Sequence, residues 1–251
     1  MSEITVKDRF KYIEEGQGEP ILMLHGLFGS LANFEHVIAK FSSDYHTIVP
    51  ILPLYDLPIR ESTVDGLVQY LSDFIDFFDF KKVHLVGNSL GGHVALVYTL
   101  NCPDKVASII LTGSSGLFEK AFGDTMPKRG DYEYLKVKTE QTFYDPKIAT
   151  KELVDDVYET VMDREKAIRV VVMAKSAVRH NLSVELKQIM CPTLLIWGKN
   201  DNITPPFVGE EFNRLIPHSK LIFIDKCGHA PMMERPKEFN QILGEFLKSL
   251  T

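Results

Sequence analysis

Ser89, Asp201 and His229 are the residues of this sequence whose types and settings could together do chemistry. They are a hydroxyl to attack a carbonyl, a carboxylate to orient a base, and an imidazole to carry the proton. Ser89 stands in Gly87-Asn88-Ser89-Leu90-Gly91, between the apolar run Val83–Val86 and a helical run that stops before Pro103. A serine on so sharp a strand-to-helix turn is held in a strained backbone, and only small neighbours let strand and helix come that close. The helix start behind it presents free N–H groups to developing negative charge.

Acyl transfer passes through a tetrahedral oxyanion, which needs two preorganised N–H donors about 3 Å away. The N–H of Leu90, directly after the serine, is one candidate. The other is expected in Leu22-Met23-Leu24-His25-Gly26-Leu27-Phe28-Gly29, a strand running into a glycine-punctuated loop. Leu27 is the first choice there and Phe28 the alternative. Asp201 closes the strand-and-loop segment Thr193–Asp201, where its carboxylate could fix the tautomer of an imidazole. His229 follows the strand Leu221–Asp225 in a loop shaped by Gly228 and Pro231, and is the expected general base. Asp225 is the competing acid, only four residues from the histidine. Phe28, Leu117, Phe118 and Met232 flank these loops and are the expected walls of a substrate pocket.

The elements that must position these groups alternate. Strands are read near Phe10–Ile13, at Ile21–Leu24, Thr47–Leu52, Val83–Val86, Ala107–Thr112, Pro192–Trp197 and Leu221–Asp225. Glu14–Glu19, with two glycines, reads as a hairpin turn. Helices are read at about Asn33–Lys40, from a Ser62 or Thr63 cap to Phe78, after Ser89, and from Pro236 onward. Such alternation gives an α/β fold: a mostly parallel sheet of about eight strands with helices on both faces. From Phe118 to about Leu182 the pattern is helical only, with segments at Asp131–Thr142, Thr150–Asp163 and Arg164–His180. The domain organisation expected is therefore a core of residues 1–117 and 183–251, with a helical lid, 118–182, inserted after the sixth strand.

With serine, acid and histidine in this order, the sequence resembles the α/β-hydrolase fold family over nearly its whole length. The resemblance implies a serine hydrolase, since Ser89 replaces the aspartate nucleophile of epoxide hydrolases and haloalkane dehalogenases. Asn88, Asn33-Phe34 and Phe143-Tyr144-Asp145 look like the meta-cleavage product hydrolases, which cut carbon–carbon bonds. Departures from that group are Ala230 after the histidine, where a tryptophan is usual, a plainer oxyanion loop, and no matched lid arginine. Pro53-Leu54-Tyr55-Asp56-Leu57-Pro58 also replaces the Asp and Gly-x-Gly turn usual in relatives; this loop is expected to lie away from the catalytic residues.

Composition narrows the partners. The 251 residues are 45% hydrophobic and 25% charged, enough for one substantial core. A net charge of −6 without basic runs argues against nucleic acid or anionic membranes. No secretory signal or membrane-spanning run is read, and three cysteines without C-x-x-C spacing suit a reducing, cytoplasmic setting. Zinc, phosphate-loop and dinucleotide motifs are not found, so no cofactor and no metal are expected. The expected activity is hydrolysis of a small to medium apolar ester through an acyl-enzyme on Ser89. The alternatives are carbon–carbon bond hydrolysis and a non-catalytic ligand receptor; oligomeric state is not legible.

Overall fold

A computed structural model of the chain describes residues 3–29, 31–118 and 130–250. Its strands are β1 (Thr5–Lys7), β2 (Phe10–Glu15), β3 (Pro20–Leu24), β4 (His46–Pro50), β5 (Val83–Asn88), β6 (Val106–Thr112), β7 (Thr193–Gly198) and β8 (Ser219–Ile224). They form one sheet in the order β1-β2-β4-β3-β5-β6-β7-β8. Pairs β1/β2 and β2/β4 are antiparallel, and all later pairs are parallel. The helices are α1 (Glu35–Phe41), α2 (Val64–Phe77), α3 (Leu90–Asn101), α4 (Tyr132–Glu140), α5 (Lys151–Met162), α6 (Arg164–Arg179), α7 (Pro206–Leu215), α8 (Pro231–Glu234) and α9 (Pro236–Lys248).

Alternate strand residues feed opposite faces, because successive side chains point to opposite sides of a pleat. Leu22, Leu24, Val83 and Leu85 join one core with residues of α2, α3 and α7. Ile21, Met23 and Val86 join the other with residues of α1, α8 and α9. A parallel sheet covered on both faces reads as unbroken apolar runs, which is how β3 appears in the sequence, while β5 is broken only by His84 before its Gly87-Asn88 tip. Thr63, not Ser62, caps α2: its Oγ1 accepts from Gly66 N–H at 3.1 Å.

The expected hairpin at Glu14–Glu19 is not formed, for β2 pairs with β4 and β3 lies beyond β4. The connection instead presses onto the end of α1. A Cβ at Gly16 (φ 79°) would sit 2.1 Å from the Ser42 carbonyl oxygen, so the turn is held from outside.

Helices α4 to α6 lie between β6 and β7, where the sequence turned all-helical. Each begins on a cap legible in the sequence: Asp131 accepts from Tyr134 N–H, Thr150 from Leu153 N–H, and Asp163 from Glu165 and Lys166 N–H. Of the expected insertion, 118–182, residues 119–129 lie outside the described residues. Two bonds tie its ends together, Leu182 N–H to Gly116 O at 2.8 Å and Asn181 Nδ2 to Leu117 O at 2.7 Å. From α6, Arg169 Nε donates to Leu57 O at 2.9 Å, and Ser176 Oγ accepts from Val64 N–H at 3.2 Å. The insertion thus rests on the loop after β4. Among the described residues, no helix is long and apolar enough to cross a membrane.

Candidate active site

Ser89 caps β5 and precedes α3 with φ 54° and ψ −120°. A non-glycine residue there costs about 1–3 kcal/mol, and surrounding bonds must hold it. They do. Ser89 N–H donates to Thr112 O at 3.1 Å, and its carbonyl accepts from Gly92, His93 and Ser115 N–H at 3.0, 3.2 and 3.1 Å. The glycines serve close approach rather than torsion: a Cβ on Gly91 would lie 2.1 Å from Leu24 O, and one on Gly87 2.5 Å from Gly92 Cα.

The loop after β3 sits against the serine, since a Cβ on Gly26 would come within 3.1 Å of Ser89 Cβ. Gly26 O accepts from Gly29 N–H at 3.0 Å and pairs with His25 Nδ1 at 2.9 Å. His25 Nε2 accepts from Leu52 N–H at 3.1 Å, so Nδ1 carries the proton and donates. Burial pushes this imidazole below its ordinary pKa, and Gly26 O opposes that more weakly. Neither Leu27 nor Phe28 N–H is spent on a backbone acceptor among the described residues. Both residues line the same cavity as Ser89 and Leu90, so the choice between the two donors stays open.

His229 reaches this cavity from the loop after β8. Asn88 Nδ2 donates to His229 O and to Thr112 O, both at 3.0 Å, tying the histidine loop to the tips of β5 and β6. Gly113 (φ 50°) leaves room for the ring, as a Cβ there would fall 2.7 Å from Nδ1. Nδ1 lies 2.9 Å from Asp201 Oδ2 and donates to it, so Nε2 is left as the acceptor. Among the described residues, Ser89 Oγ makes no hydrogen bond to Nε2; such bonds are often long before substrate arrives.

Asp201 is buried and fully engaged. Ile203 and Thr204 N–H donate to Oδ1 at 2.8 and 3.0 Å, while Thr204 Oγ1 donates to Oδ2 at 2.9 Å. Sequence reasoning missed Thr204, although an Asp followed by Thr three positions later is a recognisable Asx-type turn. Asp225 lies beyond the end of β8, exposed and paired with Lys199 at 3.7 Å, far from any such arrangement.

The histidine loop is latched to the insertion. His229 N–H donates to Thr142 O at 2.9 Å, and Glu234 accepts from Gly228 N–H at 2.7 Å and from Tyr144 N–H at 2.8 Å. Burial raises the Glu234 pKa, and these backbone bonds oppose the rise.

The cavity measures about 390 Å³. Its far wall comes from the insertion, chiefly Leu135, Val157, Val161, Met173, Ala174 and Ala177, with Thr139, Gln141 and Thr142 as polar neighbours. Among the described residues, Lys138 is the one lining residue with a permanent charge. Three expected wall residues are elsewhere. Leu117 packs on the core and gives its carbonyl to Asn181. Phe118 is exposed and stacks edgewise on Phe207. Met232 is fully buried on the α9 side, because the short helix α8 turns it toward the sheet and brings its neighbour Met233 to the cavity. The Pro53–Pro58 loop is also not remote: Tyr55 OH donates to Leu27 O at 3.1 Å. Among the described residues, no group of three or more His, Cys, Asp or Glu could hold a metal ion.

Comparison with known proteins adds four findings. Residues 21–242 match the sequence profile of the alpha/beta hydrolase family. The solved structure of MGS-MChE2, an alpha/beta hydrolase enzyme from the sediment metagenome of the Mar Chica lagoon, Morocco, is 43% identical. It superposes with a TM-score of 0.83, covering 99% of each chain. The 2-hydroxy-6-oxo-6-phenylhexa-2,4-dienoate hydrolase of Comamonas testosteroni is 28% identical over 94% of this chain and 90% of its own. The monoacylglycerol lipase ABHD6 of Bos taurus is also 28% identical, over 94% of this chain and 77% of its own.

Proposed function

Since the chain belongs to the alpha/beta hydrolase family, we propose that it hydrolyses a small to medium apolar ester through an acyl-enzyme on Ser89. The observation that carries this reading is one cavity holding Ser89 and His229 under apolar side chains of α4–α6. In this reading the insertion acts as a lid that excludes water and selects the acyl or alcohol group.

His229 Nε2 takes the Ser89 proton as Oγ attacks the ester carbonyl. The N–H of Leu90 and that of Leu27 or Phe28 hold the oxyanion. Asp201 keeps the proton on Nδ1 and stabilises the imidazolium, with Thr204 holding the carboxylate in place. The imidazolium then protonates the departing alkoxide. Water, deprotonated by the same nitrogen, attacks the acyl carbon and frees the acid and Ser89.

A second reading is carbon–carbon bond hydrolysis, favoured by the full-length likeness to the dienoate hydrolase. Lys138 supports it, since a dienoate carries a carboxylate and this ammonium is the fixed cation on the wall.

The test is a p-nitrophenyl ester series of rising chain length run beside 2-hydroxy-6-oxo-6-phenylhexa-2,4-dienoate. Higher kcat/KM on an ester supports ester hydrolysis; a dienoate preference of tenfold or more, about 1.4 kcal/mol, replaces it. On the better substrate, Ser89→Ala lowers kcat by about 10⁴-fold or more with thermal unfolding little changed. An unaltered rate removes Ser89 from the chemistry.

A further inference from the structure

The loop after β4 grips the oxyanion loop at two points. Leu52 N–H holds His25, whose Nδ1, with Gly29 N–H, fixes the carbonyl of Gly26. Tyr55 OH holds the next carbonyl, that of Leu27. Peptide units are planar, so fixing each C=O aims the following N–H the opposite way. The two fixed carbonyls therefore aim the N–H groups of Leu27 and Phe28, the two candidate oxyanion donors.

Tyr55 is in turn held by the insertion. Burial raises the pKa of its phenol, and a side-chain interaction with Thr160, a buried residue of α5, opposes that rise. A phenol has one proton, and here it goes to Leu27 O. Lys166 Nζ lies 5.7 Å from the centre of the Tyr55 ring, and Arg169 Nε binds Leu57 O two residues on. The loop is thus braced against α5 and α6 along its length.

We infer that Tyr55 is a positioning residue that makes the oxyanion hole depend on the seating of the inserted helices. With α5 and α6 in place, the loop holds the phenol on Leu27 O and the Leu27–Phe28 peptide is locked. With these helices displaced, the carbonyl loses its donor and the N–H groups lose their aim. This inference rests on the serine hydrolase reading above, because an oxyanion hole has work to do only if Ser89 attacks a carbonyl.

The test compares wild type with Tyr55→Phe and Thr160→Val on the best ester of the series. Removing an oxyanion donor costs about 10²–10³ in kcat, and loosening one costs less. Tyr55→Phe is expected to lower kcat about 10- to 100-fold with KM within about threefold. Binding of an aliphatic trifluoromethyl ketone, which adds to Ser89 as a tetrahedral alkoxide, weakens by a similar factor. Thr160→Val shifts both in the same direction by about threefold. A merely structural role would lower the unfolding midpoint without this pairing of kcat and ketone affinity. Unchanged kcat and ketone affinity in Tyr55→Phe overturns the inference while wild-type turnover keeps the serine hydrolase reading. Inactive wild type on every ester sinks the ester reading, and the same variants are then scored on the dienoate. Inactivity there as well overturns both.

Discussion

The elbow region and the inserted helices are opposites in how they are built. Every residue of β5 is buried, as is every residue of α3 from Leu90 to Thr99. In α4 only Leu135 is buried, and the exposed faces of α4 and α5 carry ion pairs such as Lys151–Asp155. Exposed pairs of this kind contribute about 0–1 kcal/mol each, so they specify little. The difference separates two tasks. In the proposed reading, attack by Ser89 needs fixed geometry and falls to the part that cannot yield, while the part that tolerates change bounds the substrate and, through Tyr55, bears on the oxyanion loop.

The comparison breaks most sharply at Gly91. Placing a Cβ 2.1 Å from the Leu24 carbonyl forces strand and helix apart, so Gly91→Ala should cost about 3 kcal/mol or more. Lys138→Ala on the exposed side of α4 should stay within about 0.5 kcal/mol. Urea denaturation of both variants measures the contrast, and a Gly91→Ala loss below 1 kcal/mol would erase it.

A smaller effect sharpens the other half. Val157 of α5 lines the cavity and packs with Leu135 and Val161. Val157→Phe should lower kcat/KM for the longest accepted ester by about tenfold relative to the shortest, a change of about 1.4 kcal/mol in discrimination. An unaltered chain-length profile would show that α5 does not bound the substrate.

The smallest effect concerns pH. The buried His25 has its pKa lowered by folding, so the unfolded chain binds a proton more readily. Its contribution to stability is complete above the unfolded histidine value of about 6.5 and is lost as pH falls below it. Stability should therefore decline from pH 7 toward pH 5, with a slope that His25→Asn reduces by at most about 1.4 kcal/mol per pH unit. His84, lowered by the same cause, keeps part of the slope in the variant. Identical slopes would mean that folding does not lower the proton affinity of His25.

The same contrast explains what the sequence made legible. Gly87 and Gly91 around Ser89 could be read because a close strand-to-helix approach permits so few residue types. The segments read from Asp131, Thr150 and Arg164 come within a residue of the starts of α4–α6, where the structure finds side chains capping free N–H groups. Pairing of β2 with β4 was hidden, since it joins segments brought together by α1 rather than by a turn. Met233 rather than Met232 at the cavity depends on the rotation of one short helix, which spacing cannot fix. Tyr55 sits in a proline-rich stretch with no periodicity, so its reach to Leu27 left no trace in the sequence.

The latch between Glu234, Gly228 and Tyr144, together with the bond from His229 to Thr142, has a consequence for anyone wishing to re-engineer specificity. Exchanging the whole of 130–182 for a segment from another enzyme would uncouple His229 from its moorings. Exchanging only the stretch from Thr150 to Leu182 would leave them intact. The natural graft boundary of this scaffold is therefore set by the histidine's backbone and falls inside the cap, after Tyr144.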